Sequence, residues 1–156
     1  MILNKEFASK FNLSDAEIVK VSQLVDVDLP LDYIQFLQQY GGAKFRKDKE
    51  CDYYVSMDKK RGIVPFVSFL NYDDLKLEIN FFKSEEEILH IAPLKAYLPI
   101  ADFHGQYRIL IGLALDNKNE IFLLDVERLS IHKLCNSLEE CINEHIVLEF
   151  HLETTM

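Results

Sequence analysis

Residues 29–42 have the sequence LPLDYIQFLQQYGG, which carries the signals of a helix from start to end. Pro30 suits the first turn of a helix, because its missing N–H would have no partner there. Four residues then follow at the i, i+3, i+4 and i+7 spacing of one helix face: Tyr33, Phe36, Leu37 and Tyr40. Gly41 and Gly42 can adopt the left-handed conformation that commonly ends a helix. The stretch therefore predicts an amphipathic helix that stops at the glycine pair.

Three further helices are predicted on either side of this stretch. Ser14 and Glu17 have the spacing of a capping box, and Ile18, Val21 and Val25 then share one face. Residues 71–74 offer N-cap candidates for a third helix, whose inner face holds Leu75, Ile79 and Phe82. Ser137 and Glu140 repeat the capping-box spacing. They predict a last helix through Leu138, Cys141, Ile142 and Ile146.

The middle of the chain is rich in the β-branched and aromatic residues that are typical of strands. Strands are predicted at residues 53–55, 63–70, 97–101, 107–115, 120–125 and 131–134. The run 107–115 is apolar on both faces, which indicates a central strand covered on both sides. Residues 116–119 form a short hairpin connection.

This order of elements has no sustained βαβ alternation, and consecutive strands joined by short turns favour an antiparallel sheet. We therefore predict the α+β class, with a mainly antiparallel sheet packed against N-terminal, middle and C-terminal helices. A chain of 156 residues falls within the size of one domain. We expect a single domain over residues 1–156, with its core at about residues 14–148.

Composition and charge limit the classes of function. The formal net charge of −9 argues against direct nucleic-acid binding, which depends on Lys and Arg displacing counterions from phosphates. Cys51, Cys135 and Cys141 lack Cys-x-x-Cys spacing, as expected for reduced thiols in a cytosol. The N-terminus does not resemble a signal peptide, and no apolar run reaches membrane-spanning length. We expect a cytoplasmic protein that does not bind membranes.

No complete catalytic or cofactor motif is present in the sequence. Nucleotide-binding glycine loops and the Gly-x-Ser-x-Gly motif are absent, and the five histidines lack helical i, i+4 pairing. The sequence therefore predicts no catalytic residue, no metal site and no cofactor.

Three residues keep an enzymatic alternative open. Asp102 and His104 have the chemistry of an acid–base pair, although a turn formed by Asp102, with Gly105 at a positive φ, explains the segment structurally. Cys51 lies in a charged loop where a thiol can react, whereas Cys141 lies on a predicted apolar helix face as an inert core thiol.

Three segments together resemble the SUKH superfamily, which includes the fungal cell-wall-assembly regulator of the Smi/Knr type and many bacterial immunity proteins. The segments are residues 29–42, residues 98–125 beginning with Leu-Pro-Ile-Ala-Asp, and residues 134–142, which are similar to the family's closing helix. The resemblance spans residues 14–146. The family often has a glycine about where Asp26 stands here.

The resemblance implies a non-catalytic protein-binding domain, and the bacterial members imply an immunity protein that neutralises a cognate polymorphic toxin by direct binding. A basic toxin would be attracted by a charge of −9. Six acidic residues in two segments are the candidate contacts: Asp48, Glu50, Asp52, Glu85, Glu86 and Glu87. The alternatives are a regulatory scaffold of the Smi/Knr type and a small enzyme that uses Asp102, His104 or Cys51.

Overall fold

The computed structural model describes residues 1–57, 64–103 and 105–150, and it has the predicted α+β class. Its helices are α1 (Asp15–Val25), α2 (Leu31–Gln39), α3 (Tyr72–Ser84), α4 (Glu86–Ile91) and α5 (Leu138–Glu140), and a π-helical turn (Cys141–His145) follows α5. The strands are β1 (Phe7–Ser9), β2 (Lys44–Phe45), β3 (Cys51–Val55), β4 (Val64–Phe66), β5 (Ser68–Phe69), β6 (Tyr97–Phe103), β7 (Tyr107–Gly112), β8 (Ile121–Asp125), β9 (Ser130–Cys135) and β10 (Ile146–Phe150).

The strands of the described residues form three antiparallel sheets. The largest has the order β5-β6-β7-β8-β9, a second has the order β10-β3-β4, and β1 pairs with β2. β7 lies at the centre of the largest sheet, and all of its residues after Tyr107 are buried. The prediction of a central strand covered on both faces is therefore confirmed, although the strand ends at Gly112 instead of residue 115.

The helix starts and inner faces follow the local sequence signals. Both hydrogen bonds of the Ser14–Glu17 capping box are present, and the predicted inner faces of α1 and α3 are buried. Asn71 caps α3 by accepting the backbone N–H of Asp74 at 2.9 Å. Asp26 ends α1 in the left-handed conformation, with φ of 57°, which is the conformation that commonly closes a helix.

The glycine pair ends α2 as predicted. Gly41 has φ of +56°, and its N–H donates to the carbonyl of Phe36 at 3.1 Å. Tyr33, Phe36 and Leu37 are buried. Tyr40, in contrast, lies just beyond the last residue of α2 and is half-buried, with its ring stacked on Phe7 at 4.5 Å between centroids.

Several strand predictions need correction. The run 63–70 is divided between β4 and β5, which belong to different sheets, and Ile63 lies outside the described residues. The break falls at the exposed Val67, where the chain leaves one sheet for the other. β1 and β2 were not expected, because strands of two or three residues carry too little pattern to be seen in a sequence.

The predicted last helix stops before Ile146. The backbone N–H of Ser56 donates to the carbonyl of His145 at 2.7 Å, and Nδ1 of His145 lies 2.6 Å from the carbonyl oxygen of Ser56. From Ile146 onward the chain pairs with β3 as β10. Sheet pairing of this β-branched stretch therefore replaces helix continuation, a tertiary effect that local capping signals do not reveal.

Candidate partner-binding surface

The six predicted contact acids lie on two separate sets of elements. Asp48 and Glu50 lie between β2 and β3, Asp52 is the second residue of β3, and the other three acids lie where α3 meets α4. Every one of the six is exposed except Asp52, which is half-buried.

The first set, Asp48, Glu50 and Asp52, lies in a segment that also contains several Lys and Arg residues. Residues 44–52 contain four Lys or Arg and three acids, so the segment carries no net negative charge. Nζ of Lys47 lies 2.5 Å from the carboxylate of Asp52 in an ion pair. Burial, followed by the negative charges of Asp48 and Glu6, raises the pKa of Tyr53. A partner approaching this segment would therefore meet mixed charge.

The second set rims a groove. Glu85 ends α3 and directly precedes α4, in an extended conformation that turns the chain sharply between the two helices. This corner and the β8–β9 turn enclose a depression of about 520 Å³, which we call the acid-rimmed groove. Its lining consists of Phe81, Ser84, Glu85, Glu86, Glu87, Ile88, Val126 and Leu129. Half of the lining residues are thus apolar, namely Phe81, Ile88, Val126 and Leu129, which we call the floor, and three are the exposed glutamates, which we call the rim.

Glu86 and Glu87 also have a local role. They occupy the first turn of α4, where negative charge is favoured by the helix dipole. The exposed Lys83 and Arg128 are the bases within the two segments that border the groove, residues 83–87 and 125–129. Those segments hold five acids, so the rim stays negative overall.

The β8–β9 side of the groove is fixed by Asp125. Its Oδ1 accepts the backbone N–H groups of Glu127 at 3.0 Å and Arg128 at 3.1 Å. Burial opposes the charge on Asp125, but these two N–H groups, the side chain of Gln106 and the guanidinium of Arg128 outweigh it and lower the pKa of the carboxyl. The turn then passes through Leu129 at φ of 53°.

A nearly buried ion pair lies next to Phe81 of the groove. Arg108 of β7 pairs with Glu78 of α3, and both side chains are nearly buried. The Arg108 guanidinium also donates to the carbonyl of Gly105 at 2.9 Å and lies 5.5 Å from the ring centre of Phe81. This cation–π contact holds Phe81 in place at the groove. The interpretation of residues 107–115 as apolar on both faces did not anticipate this pair.

Among the described residues, Cys51 and Asp102 of the enzymatic alternative lie in strands of two different sheets. Cys51 is half-buried in β3 opposite Phe150. The backbone of Asp102 pairs with Arg108 inside β6, so Asp102 precedes the turn instead of forming it. Gly105 has φ of +96°, as expected for that turn, and His104 lies outside the described residues.

The two remaining cysteines are buried in the core. A hydrogen bond with Cys135, together with burial, raises the pKa of Cys141. The interpretation of Cys141 as a buried core thiol is confirmed. A raised pKa keeps it as the less reactive thiol form.

The described part of the chain contains neither a metal-binding cluster nor a membrane-spanning helix. Among these residues, no group of three or more His, Cys, Asp or Glu is placed to hold a metal ion. Within the same ranges, no helix has the length and apolar character needed to cross a membrane.

The groove residues that the sequence did not indicate are Phe81, Ser84, Ile88, Val126 and Leu129. They come from α3, from α4 and from a turn about forty residues later, so no local pattern joins them. The only available signal was the charged Arg108 within an otherwise apolar strand, which indicates a buried partner.

This α+β arrangement, with an N-terminal helix pair packed beside an antiparallel sheet, is a fold of the class to which the Smi/Knr-type proteins belong. The model of the SMI1 / KNR4 family (SUKH-1) matches residues 12–144, and the chain belongs to that family. The family is generally non-catalytic and is associated with protein–protein interaction. A search of the curated proteins finds no match to the chain.

Proposed function

We propose that the protein is an immunity protein that neutralises a cognate polymorphic toxin by binding it directly, without catalysis. Family membership supports a protein-binding role, and the acid-rimmed groove is the observation that carries the proposal further. An apolar floor contributes affinity, because it loses contact with water on binding. Exposed carboxylates around it attract a basic partner.

The charge of the whole chain supports the same partner chemistry. A protein of net charge −9 is steered toward positively charged surfaces, and toxins that act on nucleic acid need basic clefts to hold phosphates. An acidic inhibitor can block such a cleft by occupying it. We propose that residues 1–156 act as one domain in the cytoplasm.

A cellular assay tests this function. Candidate toxins, chosen as the products of genes adjacent to the protein's own gene, are expressed with and without the protein, and growth is compared. Protection together with a stable one-to-one complex is expected. A scaffold of the Smi/Knr type would instead bind several partners and give no protection, which would contradict the proposal.

The absence of catalysis gives a separate prediction. Asp102→Asn, His104→Ala and Cys51→Ser, each made singly, are expected to leave protection unchanged when the variant folds normally. Occlusion needs no nucleophile or proton transfer, so these changes remove nothing that the proposed mechanism uses. Growth assays and circular dichroism measure the two properties. Loss of protection with intact toxin binding would show that the protein acts as an enzyme.

A further inference from the structure

We propose that the acid-rimmed groove binds an apolar side chain flanked by Lys or Arg on the surface of the partner protein. The inference rests on the proposed function for the biological identity of that partner. The chemistry of the occupant follows from the groove itself.

The size and floor of the groove suit a single side chain with its neighbours. Its volume of about 520 Å³ lies within the range of ordinary ligand pockets. The floor is made by Phe81, Ile88, Val126 and Leu129, of which only Ile88 is fully buried. The other three retain apolar surface that an incoming aliphatic side chain would cover.

The rim determines the charge of the occupant. Glu85, Glu86 and Glu87 are all exposed, and the bordering residues 83–87 and 125–129 hold five acids against two bases. A cationic neighbour of the inserted side chain is attracted to this rim. A second copy of the same acidic groove would be repelled, so charge complementarity favours a basic protein surface.

Leu129 provides the means to separate groove function from folding. Its φ of 53° lies in the left-handed region, which Leu adopts rarely and Asn adopts with little strain. Leu129→Asn therefore removes apolar floor while suiting the backbone of the turn. Leu115, which is 96 % exposed in the β7–β8 connection and does not line the groove, gives the matched control Leu115→Asn.

The experiment uses the full chain and a defined probe. The probe is an acetylated and amidated pentapeptide with leucine between two Lys-Arg pairs, titrated while amide shifts are followed by NMR. One control peptide has glycine in place of the leucine. The other has glutamate in place of all four basic residues. We expect a Kd below about 1 mM and shifts centred on the groove residues. The glutamate peptide is expected not to bind.

Each variant has an expected effect on the affinity for the peptide. Leu129→Asn is expected to weaken peptide binding roughly fivefold or more, and the glycine peptide to bind the wild type correspondingly weakly. The triple change of Glu85, Glu86 and Glu87 to Gln is expected to weaken binding roughly fivefold, since it removes three exposed charges. Leu115→Asn is expected to bind like the wild type. Melting temperatures of all variants are measured to confirm folding.

Three results would overturn the inference. One is the absence of groove shifts at millimolar peptide, and another is affinity that does not depend on Leu129 or on the peptide leucine. The third is groove shifts that depend on protein dilution instead of peptide, which would identify a second copy as the occupant. The peptide titration contains no toxin, so its result does not depend on the proposed function. Failure of the protection assay with intact peptide binding would therefore refute the proposed function alone. Protection retained by a Leu129→Asn variant that no longer binds peptide would refute the groove assignment alone.

Discussion

Phe36→Ala is expected to lower the free energy of unfolding by about 3–5 kcal/mol, the range for truncating a core phenylalanine. Phe36 is 1 % exposed, and its ring lies 5.0 Å from that of Phe69 in an edge-to-face contact and 5.3 Å from that of Tyr40. It therefore links α2 to β5, and alanine would leave a cavity between helix and sheet. Urea unfolding followed by circular dichroism measures the change.

The matched control lies on the opposite face of the same helix. Leu31 is 67 % exposed, and Leu31→Ala is expected to change stability by no more than about 0.5 kcal/mol. A loss below about 1 kcal/mol for Phe36→Ala would mean that α2 does not bury this face.

Gly41→Ala is expected to lower stability by about 2–5 kcal/mol, because two penalties add. The residue has φ of +56°, which an L side chain adopts at a cost. An added Cβ would also lie 1.8 Å from the backbone carbonyl oxygen of Phe11. That backbone is held by a hydrogen bond from the N–H of Phe11 to the carbonyl of Tyr40 at 3.0 Å, so it cannot move away freely.

Gly105→Ala isolates the first penalty from the second. Gly105 has φ of +96°, but an added Cβ would meet no atom within 4 Å. We expect a loss of about 1–2 kcal/mol from backbone strain alone. Equal losses for the two variants, measured by thermal or urea unfolding, would show that the contact between Gly41 and Phe11 does not constrain the end of α2.

The parts of the fold that the sequence predicts are those encoded by local signals. The caps at Ser14 and Asn71 fix the starts of α1 and α3, and the spacing of apolar residues identifies their buried faces. The glycine stop of α2 is equally local. These features need only a few neighbouring residues, so no tertiary information is required.

The parts that the sequence does not predict depend on contacts between distant residues. The chain leaves the last helix at Ile146 because β3, about ninety residues earlier, pairs with it. α4 has six residues and no side-chain cap, which leaves no clear helical pattern. Ends and short elements are therefore set by tertiary packing.

The candidate surface was predictable only in part. The run Glu85 to Glu87 is visible as exposed charge, and the structure confirms its exposure. Its apolar floor is not visible, because Val126 and Leu129 reach the groove only through the hydrogen-bonded turn around Asp125. The acids at residues 48–52 remain a prediction, and the neighbouring bases make them the weaker candidates for attracting a basic partner.

The most direct test of the account measures association and dissociation with the cognate toxin as salt is raised from about 50 to about 500 mM. Exposed charges act mainly on association and are screened over about 8–10 Å at physiological salt. We predict several-fold slower association with little change in dissociation. Reversal of Glu85, Glu86 and Glu87 to Lys should reproduce that slowing, and reversal of Asp48, Glu50 and Asp52 should slow association less. Kinetics indifferent to salt and to both triple reversals, in variants that remain folded, would contradict charge-steered docking.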